Sequence, residues 1–275
     1  MYVQTEFGGD SQSGQSGSLM AHFSLEQAIR GGINDAGMPD GFRFDLLSFD
    51  ACLMSSYEVI SALSSHGHCF LGSETLVSGA GWDWRSLRPT TRDGKPTTPL
   101  DYAESIARAT VDNHMGQQGV MNLAIVDLHK QREFRKAFAA SQRSLAERLN
   151  TCVETYEVDR IRTAYQKADD SLRAHKESLF RQVLANPVDM GHLLHHLEAE
   201  VERLMPLEEL DTLREAYRLY NESIVYFNGS DSALLTGVHV DLLHERKPHR
   251  LLQIAHVDDV IGLDEADIPW SRNHS

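Results

Sequence analysis

Apolar and polar positions fall into blocks along the chain, and each block predicts an element. "FSLEQAIRGGI" has the spacing of a short helix, with Ser24 as N-cap, Gln27 at the capping-box distance and Gly31-Gly32 as its end. Phe7 to Ser18 reads as a Gly- and Ser-rich loop ahead of it. After the turn "NDAGMPDG", the stretch "FRFDLLSFD" ends in a near-continuous apolar run, the pattern of a strand covered on both faces. From Leu53 the apolar positions Met54, Tyr57, Val59, Ile60 and Leu63 follow a rough helical period that "SSHGH" breaks. "CFLGSETL" predicts a second strand, and the long irregular stretch that begins "VSGAGWDW" carries two tryptophans. "LDYAESIARATVDNHM" predicts an amphipathic helix and "GVMNLAIVDL" a third strand. Strands alternating with helices indicate an α/β layered sheet.

Beyond His129 the pattern changes to charged helix formers with spaced apolar residues. "FRKAFAASQRSLAERL" and "VDRIRTAYQKADDSLRAH" predict long amphipathic helices, and "NPVDMGHLLHHLEAEVERL" another, with Asp189 near its cap. "LDTLREAYRLYNESIVYFN" is a further helix that runs into a strand. The chain therefore divides into an α/β core over 1–129, a helix-rich extension of the same unit over 130–236, and an irregular, acidic, His-bearing tail over 237–275.

With 275 residues and 41% hydrophobic positions, the chain has enough apolar side chains for a sizeable core. A formal charge of −14 argues against partners that present phosphate, so neither nucleic acid nor a membrane surface is expected. No apolar run reaches the roughly 18 residues of a membrane span. Met1-Tyr2-Val3-Gln4 lacks the basic head and apolar middle of a signal peptide, so the chain as written reads as cytosolic, and as exported if a leader lies upstream. Cys52, Cys69 and Cys152 are too few and too unevenly spaced for a disulfide framework or a CxxC zinc site.

That leaves reactivity as an explanation for one thiol. In layered α/β sheets, ligands gather outside the carboxyl ends of strands, and Asp50, Ala51 and Cys52 fall at that place after "FDLLSF". A helix N-terminus beside Cys52 would favour a thiolate able to attack a carbonyl. A small, buried, apolar role for Cys52 is the alternative. Asp50 is either a ligand group or a helix N-cap, and Asp83 either a ligand group or a turn residue.

The ordered string "FDACLM", a helix, a strand ending in Ser73-Glu74, and Gly81-Trp82-Asp83 resembles the clostripain family of clan CD cysteine peptidases, relatives of the caspases, gingipains, legumains and separase. "LAIVDLHK" and "NPVDMGHLLHHL" resemble later family elements more loosely. The resemblance implies a caspase-like α/β/α sandwich and a cysteine endopeptidase that acts on peptides or proteins. It makes Cys52 the nucleophile of a Cys-His dyad that forms an acyl-enzyme. Asp50, with Asp83 as a second candidate, would select Arg or Lys at the cleaved bond, because a desolvated cation needs a paired charge.

The family's histidine belongs to a His-Gly step at the end of the strand before the cysteine strand, and none of the fourteen histidines occupies that place. His22 and His66 are the nearest substitutes and both read as surface residues. The chain is accordingly expected to be an incomplete copy that lacks its first strands, which would leave the apolar cysteine strand with a bare edge. The alternative is a non-catalytic binding or scaffold protein that uses its long helices as an interaction surface. No cofactor is evident. Family resemblance implies calcium in some members, but no D-x-[DN]-x-[DN]-G loop is present and no ligands are assigned. His192 and His196 have the i, i+4 spacing of a metal pair without an HExxH partner, and predict a partly packed face instead. Maturation by cleavage ahead of Cys52 has only Arg30 and Arg43 as basic positions.

Overall fold

The computed structural model describes residues 6–9, 19–75, 77, 81–86, 98–114, 122–151, 156, 159–161, 163–164, 166–167, 187–202, 207–229 and 235–241. Strands β1 (Glu6–Gly9) and β2 (Leu19–Ala21) pair antiparallel, so a small hairpin stands where a loop alone is expected from the Gly and Ser content. Helix α1 (His22–Asp35) runs through Gly31-Gly32 instead of ending there, and neither glycine takes the left-handed conformation that would stop it. The helix stops at Gly37, which has φ of +63°. There Gly37 N–H donates to the Asn34 carbonyl at 2.9 Å and Met38 N–H to the Ile33 carbonyl at 3.2 Å. These two hydrogen bonds form the glycine-dependent helix stop, with the left-handed residue one position past the cap.

Strand β3 (Phe44–Ser48), helix α2 (Tyr57–Leu63), strand β4 (Gly67–Gly72), helix α3 (Pro99–His114), strand β5 (Asn122–Asp127) and helix α4 (Leu128–Thr151) follow. Then come β6 (Pro187–Asp189), α5 (Met190–Val201), α6 (Leu207–Ser223), β7 (Ile224–Gly229) and β8 (His239–Asp241). The expected helix-to-strand run at "NESIVYFN" is thus the α6–β7 junction. Most of "VDRIRTAYQKADDSLRAH", Cys152 and the tail beyond Asp241 lie outside the described residues.

The central sheet has the order β3-β4-β5-β7 and is mixed: β3 and β4 are parallel, while β5 is antiparallel to both β4 and β7. Alternation along its inner strands sends successive side chains to opposite faces. Phe70, Ala124 and Val126 pack with α2, α4 and α6, where the rings of Tyr57, Phe134, Phe138 and Tyr220 meet at centroid distances of 5.4 to 6.1 Å. Leu71, Leu123 and Ile125 point the other way, onto Ala103, Ile106, Ala107 and Val111 of α3. The result is three layers, helix on sheet on helix. Each large side chain buried this way stabilises the fold by roughly 1.5–3 kcal/mol.

β3 departs from its predicted setting. Among the described strands β4 is its one partner, and Phe44 remains 39% exposed instead of being covered on both faces. Helix α2 also starts later than the apolar pattern predicts. Leu53 has φ of +62°, which interrupts the period, and Ser56 caps the helix by accepting from Val59 N–H at 3.2 Å.

Candidate active site

The seam between β3 and α2 is a turn held against the segment that follows β4. Leu53 N–H donates to the Thr75 carbonyl at 3.0 Å and Ser55 N–H to the Ser73 carbonyl at 2.9 Å, an antiparallel pairing that shows the chain has reversed after the parallel β3–β4 ladder. Cys52 is the exposed residue at the crest of this turn, not a buried packing residue. Val77 N–H donates to Cys52 Sγ at 3.1 Å, and Sγ lies 3.8 Å from the Val77 carbonyl oxygen. The expected helix N-terminus beside the thiol is replaced by this backbone amide, since α2 begins at Tyr57. A backbone N–H aimed at sulfur stabilises negative charge there.

Asp50 is not a helix cap. Its Oδ2 accepts from Trp82 N–H at 2.8 Å and from Trp84 Nε1–H at 3.1 Å, so the carboxylate sits under the "GWDW" loop on the same side of the sheet end as Cys52. Gly81 has φ of +73°, and a Cβ there would meet Asp50 Oδ2 at 2.7 Å, so this loop can close over the carboxylate only with glycine at that position. Trp82 is buried and its ring lies 5.6 Å from that of Trp84, which is 43% exposed beside Asp50.

Asp83 is occupied differently. Its carboxylate takes a two-pronged contact from Arg85, with Nε and the second guanidinium nitrogen each at 2.8 Å, and a further bond from Asn113. Its own N–H donates to Thr110 Oγ1 at 2.9 Å, which ties the loop to α3. The Arg85 contact above all holds the Asp83 carboxyl below the usual carboxylate range.

Of the histidines with described side chains, His239 borders the turn, its N–H donating to the Ser55 carbonyl at 3.1 Å, but its ring is buried and neither ring nitrogen has a hydrogen-bond partner among the described residues; the others lie elsewhere. β3 and β4 are parallel, so Cys52 follows their carboxyl ends while His66 and His68 stand at the amino end of β4, a strand length of roughly 16 Å away. His66 is buried against Glu26 at 2.9 Å rather than on the surface. His129 follows the antiparallel β5 to that same far end, and His192, His195 and His196 ride on α5. His22 begins α1, and its side chain lies outside the described residues. Arg43 precedes β3 and Arg30 pairs with Glu26 on α1 at 3.4 Å. Among the described residues no three His, Cys, Asp or Glu side chains are arranged to hold a metal ion. No described helix is long and apolar enough to cross a membrane.

Comparison with known proteins agrees with the motif order. The model of the clostripain family matches residues 15–228. No curated protein matches the chain. Among solved structures, a clostripain from Bacteroides thetaiotaomicron ATCC 29148 in complex with the peptide inhibitor BTN-VLTK-AOMK is 16% identical, covering 86% of this chain and 90% of that one at a TM-score of 0.51. A cysteine protease from B. fragilis is 15% identical, covering 92% and 98% at a TM-score of 0.53. A secreted C11 cysteine protease from Bacteroides thetaiotaomicron, in complex with an irreversible peptide inhibitor, is 16% identical, covering 96% and 69% at a TM-score of 0.54. The three-layer architecture is theirs.

Proposed function

Because the chain belongs to the clostripain family of cysteine proteases, we propose that Cys52 is the nucleophile of an endopeptidase that cleaves after Arg or Lys. The observation that carries this is the exposed Sγ on a turn fixed by three backbone contacts, with Val77 N–H at 3.1 Å supporting the thiolate. Sγ attacks the scissile carbonyl carbon, the C–N bond breaks, the amine leaves with a proton, and water hydrolyses the resulting thioester.

Of the two acidic candidates, Asp50 is the one we assign to the basic side chain of the substrate. Its Oδ2 is fixed by Trp82 and Trp84, which orients the carboxylate without neutralising it, and the exposed face of Trp84 adds a surface for a cation. Asp83 spends both oxygens on Arg85 and Asn113, and we assign it to holding the loop. The test is a peptide series that differs only in the residue before the cleaved bond. Arg and Lys should exceed Gln by at least about a hundredfold in kcat/KM, the scale of about 3 kcal/mol for a desolvated charge pair, and Asp50→Asn should remove the preference. Equal rates for Gln would refute the assignment.

One observation favours a second reading. Cys52 Sγ has Val77 as its hydrogen-bonding partner among the described residues, and no described histidine reaches it. A non-catalytic binding protein on this core fits that geometry. It predicts no cleavage of any peptide in the series.

A further inference from the structure

Deep behind the Cys52 turn lies a buried polar cluster with one donor too few. Glu74 directly follows Ser73, whose carbonyl holds Ser55, and its side chain is fully buried. Glu74 Oε2 accepts from Gly237 N–H at 2.9 Å. Its Oε1 has no hydrogen-bond partner among the described residues, and the Asp189 carboxyl comes up beside it, since Glu74 and Asp189 accept from the consecutive backbone N–H groups of Gly237 and Thr236. Asp189 is also fully buried. It is surrounded by donors: His192 N–H at 2.8 Å, Thr236 N–H at 2.7 Å, and Thr236 Oγ1–H at 2.8 and 2.9 Å from its two oxygens. Thr236 Oγ1 accepts in turn from Gly191 N–H at 3.1 Å and from the Tyr220 hydroxyl at 2.7 Å.

Two ionised carboxylates cannot satisfy each other, since both only accept. One proton resolves the contact. The donors around the contact already point at Asp189, so the missing hydrogen belongs on Glu74 Oε1. We propose that Glu74 and Asp189 share one proton, carried by Glu74 and donated to Asp189, and that this pair positions the Cys52 turn.

The positioning follows from a short chain of bonds. Gly237, held by Glu74 through its N–H, accepts at its carbonyl from Ser55 Oγ at 2.5 Å, and His239 N–H donates to the Ser55 carbonyl at 3.1 Å. Ser55 and Leu53 flank Met54 on the turn that carries Cys52, and bond to Ser73 and Thr75 on either side of Glu74. The pair therefore fastens the nucleophile turn to β6, α5 and β8 at once. Burial first, and the Asp189 charge second, push the Glu74 carboxyl well above the usual range. The other titratable groups facing the pair are Tyr220 from α6 and His192 from α5, the latter with Nδ1 3.8 Å from Asp189 Oδ1.

This inference rests on the Cys52 reading only for its consequence at the thiol, so the experiment has arms that do not involve Cys52. The full chain and its Glu74→Gln, Asp189→Asn and Glu74→Ala variants are compared by difference infrared spectroscopy, by urea unfolding across pH, and by peptide mapping of Cys52 alkylation with iodoacetamide. The side-chain amide that Glu74→Gln introduces can donate from Nε2 to Asp189 and accept from Gly237, so it imitates the protonated acid. Wild type should show a protonated carboxyl C=O band that Glu74→Gln lacks. Its folding equilibrium constant should fall by up to about tenfold per pH unit above the ordinary carboxyl range relative to Glu74→Gln, because folding takes up the proton. Cys52 alkylation should stay within about twofold of wild type in Glu74→Gln and change at least about tenfold in Glu74→Ala, the scale of a buried group left unpaired. Asp189→Asn, which turns an amide toward three donors, should be the least stable variant. A carboxyl band retained in Glu74→Gln, or a pH slope shared by wild type and Glu74→Gln, overturns the shared proton. Unchanged Cys52 alkylation in a folded Glu74→Ala overturns the positioning role alone.

Discussion

The backbone N–H of Val77 lies 3.1 Å from Cys52 Sγ, so the residue that supports the thiol comes from the segment after β4 and not from a helix following it. Val77→Pro removes that donor and leaves the side-chain volume nearly unchanged. A hydrogen bond to a charged acceptor is worth about 1.5–3 kcal/mol, so alkylation of Cys52 at neutral pH should slow by roughly tenfold or more. Val77→Ala, which keeps the N–H, should match wild type. The comparison is read by peptide mapping after iodoacetamide pulses.

Gly81 and Asp50 form a second obligate pair. Gly81→Ala places a Cβ 2.7 Å from Asp50 Oδ2 in a backbone conformation with φ of +73°. The strain of a left-handed non-glycine residue costs about 1–2 kcal/mol before the clash is counted. The loop must open to relieve it, which breaks the bonds from Trp82 and Trp84. Activity on Arg and Lys peptides should drop at least about tenfold, with a change in tryptophan fluorescence as its structural companion. Full activity with an unchanged spectrum would contradict the arrangement.

Asp83 separates loop support from substrate recognition. Asp83→Asn releases Arg85, whose own charge is strengthened by that carboxylate. Arg85 is exposed, which weakens the ion pair, so the expected effect is a KM raised by a few-fold with the Arg and Lys preference intact. A lost preference, as expected for Asp50→Asn, would move the specificity role to Asp83.

His239 makes the fold sensitive to acid. Its ring is fully buried, neither ring nitrogen has a partner among the described residues, and burial pushes its pKa down to about 3 from the ordinary 6.5. A base with a depressed folded pKa contributes stability above its unfolded value and loses it as pH falls toward the folded value. Stability should therefore decline from pH 6.5 downward by as much as about 1.4 kcal/mol per pH unit, already visible between about pH 6.5 and 5 before the ordinary carboxyls titrate. His239→Phe should flatten that window. Urea midpoints measured across it decide the matter.

The order of elements was legible because burial on both faces of the sheet leaves unbroken apolar runs such as "NLAIVD", and the helices show their period. Strand direction was not, since β4–β5 and β5–β7 are antiparallel despite helices intervening in the chain. The apolar pattern makes helix α2 too long because Leu53 and Met54 are apolar yet sit in the turn, where Leu53 has φ of +62°. At the site, Cys52 and Asp50 were visible from their place after a strand. The partner of Asp83 lies two residues on, at Arg85, a spacing from which the ion pair could have been anticipated. Val77, Trp84 and the Glu74–Asp189 contact were not visible, because each depends on where distant backbone returns to the strand end. His66 shows the same limit in reverse: its buried partner Glu26 belongs to α1, far away in sequence.

Whether Cys52 is a nucleophile tuned for basic substrates is decided by mass-spectrometric mapping after treatment with a peptidyl acyloxymethyl ketone ending in Lys. One adduct is expected, on Cys52, with none on Cys69, whose thiol is half-buried and pushed up in pKa by that burial. The adduct should vanish in Cys52→Ala and become scarce in Asp50→Asn. No adduct on Cys52, or equal labelling of Cys69, would contradict a nucleophilic role for Cys52.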